Sequence, residues 1–213
     1  MQTTLSNSKR SADMASITDV ASSTDTTADN VIHLNLAVGD PFKGRMGQKM
    51  AIVSNGHVNL MDPCRCPYAA SVYQGDGTER RVTLDLLLTD KNEFIVRRLD
   101  REILAIAKER SNEWFGKSLS EEAIASKYVP MCKLRDGELS KLRTKVNLDS
   151  IVVWGHDKTL KEVPENKFAG MYVKCVLRLS SVWFMSANFG VTVQLIQLQL
   201  QDEDDSSKLT CPF

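Results

Sequence analysis

Apolar and polar residues alternate along most of this chain, and the period of the pattern changes in the middle. Structure is expected to begin near Val31, where Val31, His33 or Ile32, Leu34 and Leu36 start an alternating run. Residues 39–47 are rich in Gly, Pro and Lys and read as loop. Short strands follow at Lys49–Val53 and His57–Met61, with Ser54-Asn55-Gly56 as a turn between them. Tyr68–Tyr73 reads as another strand, closed by Gly75-Asp76-Gly77. The cleanest strand is Arg80–Leu88, with Val82, Leu84, Leu86 and Leu88 on one face. The period then lengthens. Phe94, Ile95, Leu99, Ile103, Leu104, Ile106 and Ala107 recur at helical spacing, which predicts an amphipathic helix over 91–110. Ser120 before Glu121-Glu122 suits the cap and acidic first turn of a second helix running to about Tyr128, and Pro130 ends it. Strands return at Leu142–Leu148, Ile151–Trp154, Gly170–Phe184 and Val191–Leu200, with Ala187-Asn188-Phe189-Gly190 as the turn between the last two.

Strands, a helical insertion at about 91–128, then strands again is the order of a mainly β, OB-type barrel. A two-layer α+β sandwich fits the same pattern, and periodicity alone leaves both open. Residues 1–30 carry no aromatic side chain and little hydrophobicity, so they are expected to form a disordered arm before a domain at 31–200. Residues 201–213 form an acidic tail.

Composition narrows the classes. Hydrophobic residues make up 42% and charged residues 25% of the 213, enough for a real core. The formal net charge is zero, with 27 basic and 27 acidic residues, but the distribution is uneven. Residues 1–30 and 201–213 each hold four acids, against two bases and one base, which leaves residues 31–200 with 24 bases and 19 acids. A mildly basic body with acidic ends is compatible with a polyanionic ligand. No apolar run reaches the ~20 residues of a membrane helix, because Lys174 and Arg178 interrupt the best stretch. The first 30 residues lack the apolar core of a secretory signal, and an odd number of cysteines, five, fits a reducing compartment. An intracellular location is therefore expected, with no membrane partner.

No enzyme site emerges. GxGxxG, P-loop and GxSxG motifs are missing, and His33, His57 and His156 are isolated. Cys64-Arg65-Cys66 lacks zinc-knuckle spacing and has no second pair, so packed thiols are expected rather than a metal, and no cofactor is implied. The segment Met171–Arg178 is more informative. Val173, Cys175, Leu177 and Leu179 alternate onto one face, which leaves Tyr172, Lys174, Val176 and Arg178 on the other. An aromatic between cations suits a single-strand groove, where a ring stacks on a base and cations track phosphates. A solvated sheet face with one exposed tyrosine accounts for the same residues. Lys133–Lys145 is expected as a basic loop, with Lys141, Arg143 and Lys145 forming a rim. Trp114-Phe115 is expected to pack as a cap over the end of the first helix, and at least one of Trp183-Phe184 to lie in the core, with Trp114 or Trp183 as the candidate stacking platform.

The segment Leu99–Lys133, with Asn112-Glu113-Trp114-Phe115-Gly116-Lys117 between two helices and Tyr128-Val129-Pro130 after them, resembles the single-stranded-DNA-binding proteins of nucleocytoplasmic large DNA viruses of algae and protists. The hairpin SSVWFMSANFGVTVQLIQL also looks like that family's last strands, and the resemblance covers roughly residues 45–200. It implies an OB-like fold that coats single-stranded DNA during replication and recombination without catalysis. The end of the chain, Asp202-Glu203-Asp204-Asp205 leading to Pro212-Phe213, resembles the partner-recruiting tip of bacterial and phage single-strand-binding proteins. It departs from them in the six residues Ser206–Cys211 that separate the acids from Pro-Phe. The expected partners are single-stranded DNA and, through the tail, replication proteins; a homo-oligomer is compatible. The alternative is a non-catalytic structural or virion-associated interaction protein on the same scaffold.

Overall fold

The computed structural model describes residues 36–45, 47–72, 75–135 and 138–201. The 1–30 arm and the tail residues Asp202, Glu203, Asp204, Asp205, Pro212 and Phe213 lie outside the described residues. Six strands come first: β1 (Ala37–Val38), β2 (Phe42–Lys43), β3 (Lys49–Ser54), β4 (His57–Asn59), β5 (Cys64–Arg65) and β6 (Arg81–Leu87). Three helices follow, α1 (Asp90–Glu109), α2 (Ser111–Phe115) and α3 (Glu121–Lys127). The chain then returns to strands: β7 (Tyr128–Val129), β8 (Cys132–Arg135), β9 (Glu138–Asn147), β10 (Val152–Trp154), β11 (Leu160–Lys161), β12 (Tyr172–Phe184) and β13 (Phe189–Gln201).

The architecture is a closed, OB-like barrel. β12 pairs with β5, β5 with β6, β6 with β9, β9 with β13, and β13 returns to β12, a ring of five strands. All of these ladders are antiparallel except the parallel contact of β9 with β13, which joins Lys145 to Gln194. Closure satisfies both edges of each ring strand and buries the alternate side chains. Val82, Leu84 and Leu86 of β6, Leu142 and Val146 of β9, Val173, Cys175, Leu177 and Leu179 of β12 and Leu195 and Leu198 of β13 form that core. The periodicity of β6 and β12 therefore predicts the inward faces correctly.

Three features depart from the expectations. Ser54-Asn55-Gly56 does not reverse the chain. β3 and β4 both run antiparallel to the same edge of β12, with Ile52 opposite Ser181 and His57 opposite Arg178, so two extra residues bulge out and the direction is kept. Glycine is needed there because a Cβ on Gly56 would sit 2.5 Å from the Leu179 carbonyl oxygen. Tyr68–Tyr73 is not a strand; its only ladder contact among the described residues is the single bridge of Ser71 to Thr83. The final turn is Met185–Asn188, because Phe189 and Gly190 already pair with Phe184 and Trp183.

The helices lie where the longer period predicts them. Thr89 accepts from the Asn92 N–H as the cap of α1, and Ser120 accepts from the Ala123 N–H as the cap of α3. Phe94 is the correction: it is 60% exposed. Ile95, Leu99, Ile103 and Ala107 define the buried face, and a residue one position from Ile95 points about 100° away from it. Asn92 fixes the helix to the barrel. Its fully buried amide accepts from the Met61 N–H (2.9 Å) and the Asp62 N–H (3.2 Å), and donates to the Asp62 carbonyl (2.8 Å).

Asn92→Ala should therefore cost about 1–3 kcal/mol, because two partly buried backbone N–H groups lose their acceptor. Urea unfolding measures this directly; a loss below ~0.5 kcal/mol would mean the two amides find other acceptors.

Candidate nucleic-acid interface

Strand alternation puts every second residue of the barrel outside, and cross-strand register decides which of those residues meet. On β12, Tyr172, Lys174, Val176 and Arg178 do share the outer face. Arg178 stands opposite Gln194 of β13, which stands opposite Lys145 of β9, which stands opposite Thr83 of β6. One row thus crosses four strands, and Arg81 lies two residues along β6 from its end. Side chains in register point to the same face. The result is an open cleft of about 680 Å³ whose lining includes Arg81, Thr83, Lys145, Asn147, Arg178 and Gln194. Among the described residues no Asp or Glu lines it. Arg81, Lys145 and Arg178 are all exposed, and none forms an ion pair with a carboxylate among the described residues.

The other expected site residues are distributed differently. Lys141 and Arg143 are on strand β9, so the basic segment is a β8–β9 hairpin and not a loop. Both are held by Asp85 of the facing strand. Arg143 makes a two-point contact with it (2.7 and 3.0 Å), and the Lys141 Nζ lies 3.2 Å away. The hydrogen bond from Arg143, and then that from Lys141, keep the Asp85 carboxyl below its usual range despite burial that opposes this. Lys174 is exposed, in line with Gln199, and sits about 13 Å along β12 from Arg178. Tyr172 is half-buried near the end of the strand, between Gln201 and Arg65, about 20 Å from Arg178. Neither lines the cleft.

Trp114 is not a stacking platform. It is only 2% exposed, and its ring packs edge-on against Phe184 (5.2 Å) and Phe189 (6.1 Å). Phe115 completes the cluster at 5.3 Å from Phe189, and Lys49 donates to the Trp114 carbonyl (2.7 Å). Trp183 keeps part of its ring accessible. It lies against Gly190, where a Cβ would come within 2.5 Å of the indole, and in register with Met50. The two segments that carried the resemblance, around Trp114-Phe115 and around Phe184 and Phe189, are therefore the two halves of one aromatic cluster.

The four thiols of the described residues, Cys64, Cys66, Cys132 and Cys175, are buried. Burial pushes Cys66 up to about 12, and a hydrogen bond with Cys64, followed by burial, raises Cys175 as well. No three His, Cys, Asp or Glu side chains gather as metal ligands among the described residues.

Residues 71–210 match the profile of DUF5871, a family of unknown function. The chain belongs to that family. The DUF5871 region holds Arg81, Lys145 and Arg178 together with the ring strands β6, β9, β12 and β13, whereas β1–β5 precede it. No curated protein matches the chain. Solved structures to which it is similar are bacteriophage single-stranded DNA-binding proteins. That of bacteriophage Enc34, in complex with single-stranded DNA, is 14% identical with a TM-score of 0.49, covering 79% of this chain and 96% of its own. The gp2.5 protein of bacteriophage T7 is 15% identical with a TM-score of 0.45, covering 70% and 95%.

Asp85→Asn should separate structural from free cations. A carboxyl held below its unfolded value stabilises the fold above that value, and the contribution is lost as pH falls through the depressed one. The parent should be more stable than Asp85→Asn at pH 7, and the two should converge as pH falls below about 4. Parallel urea melts across pH 2–7 read the difference; a gap that persists at the lowest pH would assign the loss to packing.

Proposed function

We propose that this protein binds single-stranded DNA without reading its sequence, across the outer face formed by β6, β9, β13 and β12. The observation that carries the reading is the cleft in which Arg81, Lys145 and Arg178 stand exposed with no carboxylate among the described residues that line it. Each cation that neutralises a phosphate releases condensed counterions, and this term drives binding independently of base identity. Gln194, Asn147 and Thr83 add neutral donors and acceptors between the charges. Counting the broken run β3–β4–β5 as the first barrel strand makes β6 and β9 the second and third, the strands whose face takes oligonucleotides in OB-folds generally.

The finer reading places the protein in the replication, recombination and repair of a large DNA virus, inside the host cell. What supports it is the likeness of Leu99–Lys133 and of the last hairpin to the viral proteins. In this reading Asp202–Asp205 compete with DNA for the cleft, and Pro212-Phe213 recruit a replication partner. A second reading, a non-catalytic interaction module, has its own observation: Phe42, Met50 and Trp183 stand in one outward row beside exposed Ile52. An oligomer that forms without nucleic acid and is broken by Phe42→Glu would favour it.

Alanine at Arg81, Lys145 or Arg178 should each lower the slope of log affinity against log salt by roughly 0.7 to 1. Arg143→Ala should move it less, because Asp85 already engages that guanidinium. Fluorescence anisotropy with labelled oligo(dT) over a salt series measures all four. No binding by the parent at low salt, or unchanged slopes in all three cleft variants, would overturn the proposal.

A further inference from the structure

Trp154 was not among the expected site residues, yet it stands on the same outer wall. Val153 faces the core, so Trp154 points outward from β10 and is only half-buried. It is in register with Gln199 of β13, and Gln199 is in register with Lys174 of β12. This row lies about 13 Å along the ribbon from the row holding Arg178 and Lys145. Among the described residues Trp154, Lys158, Gln197 and Gln199 line a separate, open cleft of about 290 Å³, with no carboxylate between them. The Trp154 Nε1, like that of the core residue Trp114, is buried and has no acceptor among the described residues, but only the Trp154 ring borders an open cleft. An indole nitrogen normally finds a partner when buried, so this donor is available to a ligand once a neighbouring side chain moves.

The turn over the cleft is held in a costly shape. Lys158 has a φ of 59°, the left-handed region that a non-glycine residue avoids. The Gly155 N–H bonds to the Thr159 carbonyl (2.8 Å), and the Asp157 carboxylate accepts from the Thr159 hydroxyl (2.7 Å) and N–H (3.1 Å). These bonds fix Lys158 beside the indole. Lys158 and Lys174 form no ion pair with a carboxylate among the described residues.

We infer that Trp154 is a nucleobase-binding subsite. The indole stacks on a base, the Gln197 amide meets its edge together with the Gln199 amide oxygen, the Gln199 Nε2 being turned to the Gly155 and His156 carbonyls (3.4 Å each), and Lys158 and Lys174 hold the flanking phosphates. The inference rests on the single-strand reading of the basic cleft and extends it: the strand runs along the β12–β13 ribbon from Arg178 to Trp154. An aromatic face accepts any base, so the subsite adds affinity without strict sequence preference.

The test compares oligo(dT) of about 12 nucleotides, within the usual range for one OB-fold, with an abasic strand of equal length and charge. The parent should bind oligo(dT) more tightly than the abasic strand. Trp154→Ala should weaken oligo(dT) binding about 5- to 150-fold, leave the salt slope unchanged and leave the abasic strand unaffected. Trp154→Phe, which keeps a ring, should retain most of the affinity. Equal binding of oligo(dT) by parent and Trp154→Ala would overturn the inference while leaving the basic cleft in place. If Trp154→Ala does not fold, a Trp183→Phe variant decides. Its only accessible indole is then Trp154, since Trp114 is buried, and oligo(dT) should quench it where the abasic strand does not. Equal quenching by both strands would overturn the subsite. If the parent binds neither strand at low salt, the single-strand reading itself falls.

Discussion

The pairing of β12 with β13 is the constraint on which the rest of this fold depends. Each strand is 13 residues long, so the ribbon spans about 40 Å and supplies an edge to β3, β4, β5, β7, β9 and β10. β3, β4 and β5 take successive stretches of one edge of β12. β7, β9 and β10 line up in parallel along the far edge of β13. Because one ribbon serves both sides, its two register shifts, at Val176/Leu177 and Leu179/Ser181, also set where the outer rows fall. A bulge strengthens the local twist, and twist is what allows a sheet to close. The Gln194–Lys145 contact that completes the ring is the same contact that brings two barrel walls together at the cleft.

Electrostatics then divides the outer cations into two groups. Asp85 is only 11% exposed at its side chain and engages Lys141 and Arg143, so those charges serve the β6–β9 ladder. Arg81, Lys145 and Arg178 lie beyond its reach and keep their full fields toward solvent. A near-neutral chain can thus present a local positive surface, because among the described residues its acids lie mostly on the helices and loops, away from the cleft lining. Net charge is a poor guide to such a surface; the pairing pattern is a good one.

How much of this was legible in the sequence follows from how local each feature is. The inward and outward faces of β6 and β12 were readable because period two is a property of neighbouring residues. So were α1 and α3, the latter with its Ser120 cap; the Thr89 cap of α1 appears only in the structure. Arg81 and Trp154 were not, since their significance comes from partners on other strands: Asn147 and Lys145 for the first, Gln199 for the second. Trp114 was misjudged for the same reason. Its burial depends on Phe184 and Phe189, about 70 residues later, which come back to it only when the long hairpin folds over α2. Ser54-Asn55-Gly56 has the composition of a turn, but the unbroken edge of β12 requires the chain to continue in the same direction, and the residues form a bulge instead.

The central proposal is that single-stranded DNA lies across the outer face of β6, β9, β13 and β12, where Arg81, Lys145 and Arg178 gather. Residue-resolved amide chemical shifts during titration with oligo(dT) test it most directly. The account predicts the largest changes at Arg81, Lys145, Arg178 and Gln194, extending toward Trp154, with α1 and α3 left unmoved. Shifts confined to the helices, or spread evenly over exposed lysines, would contradict it.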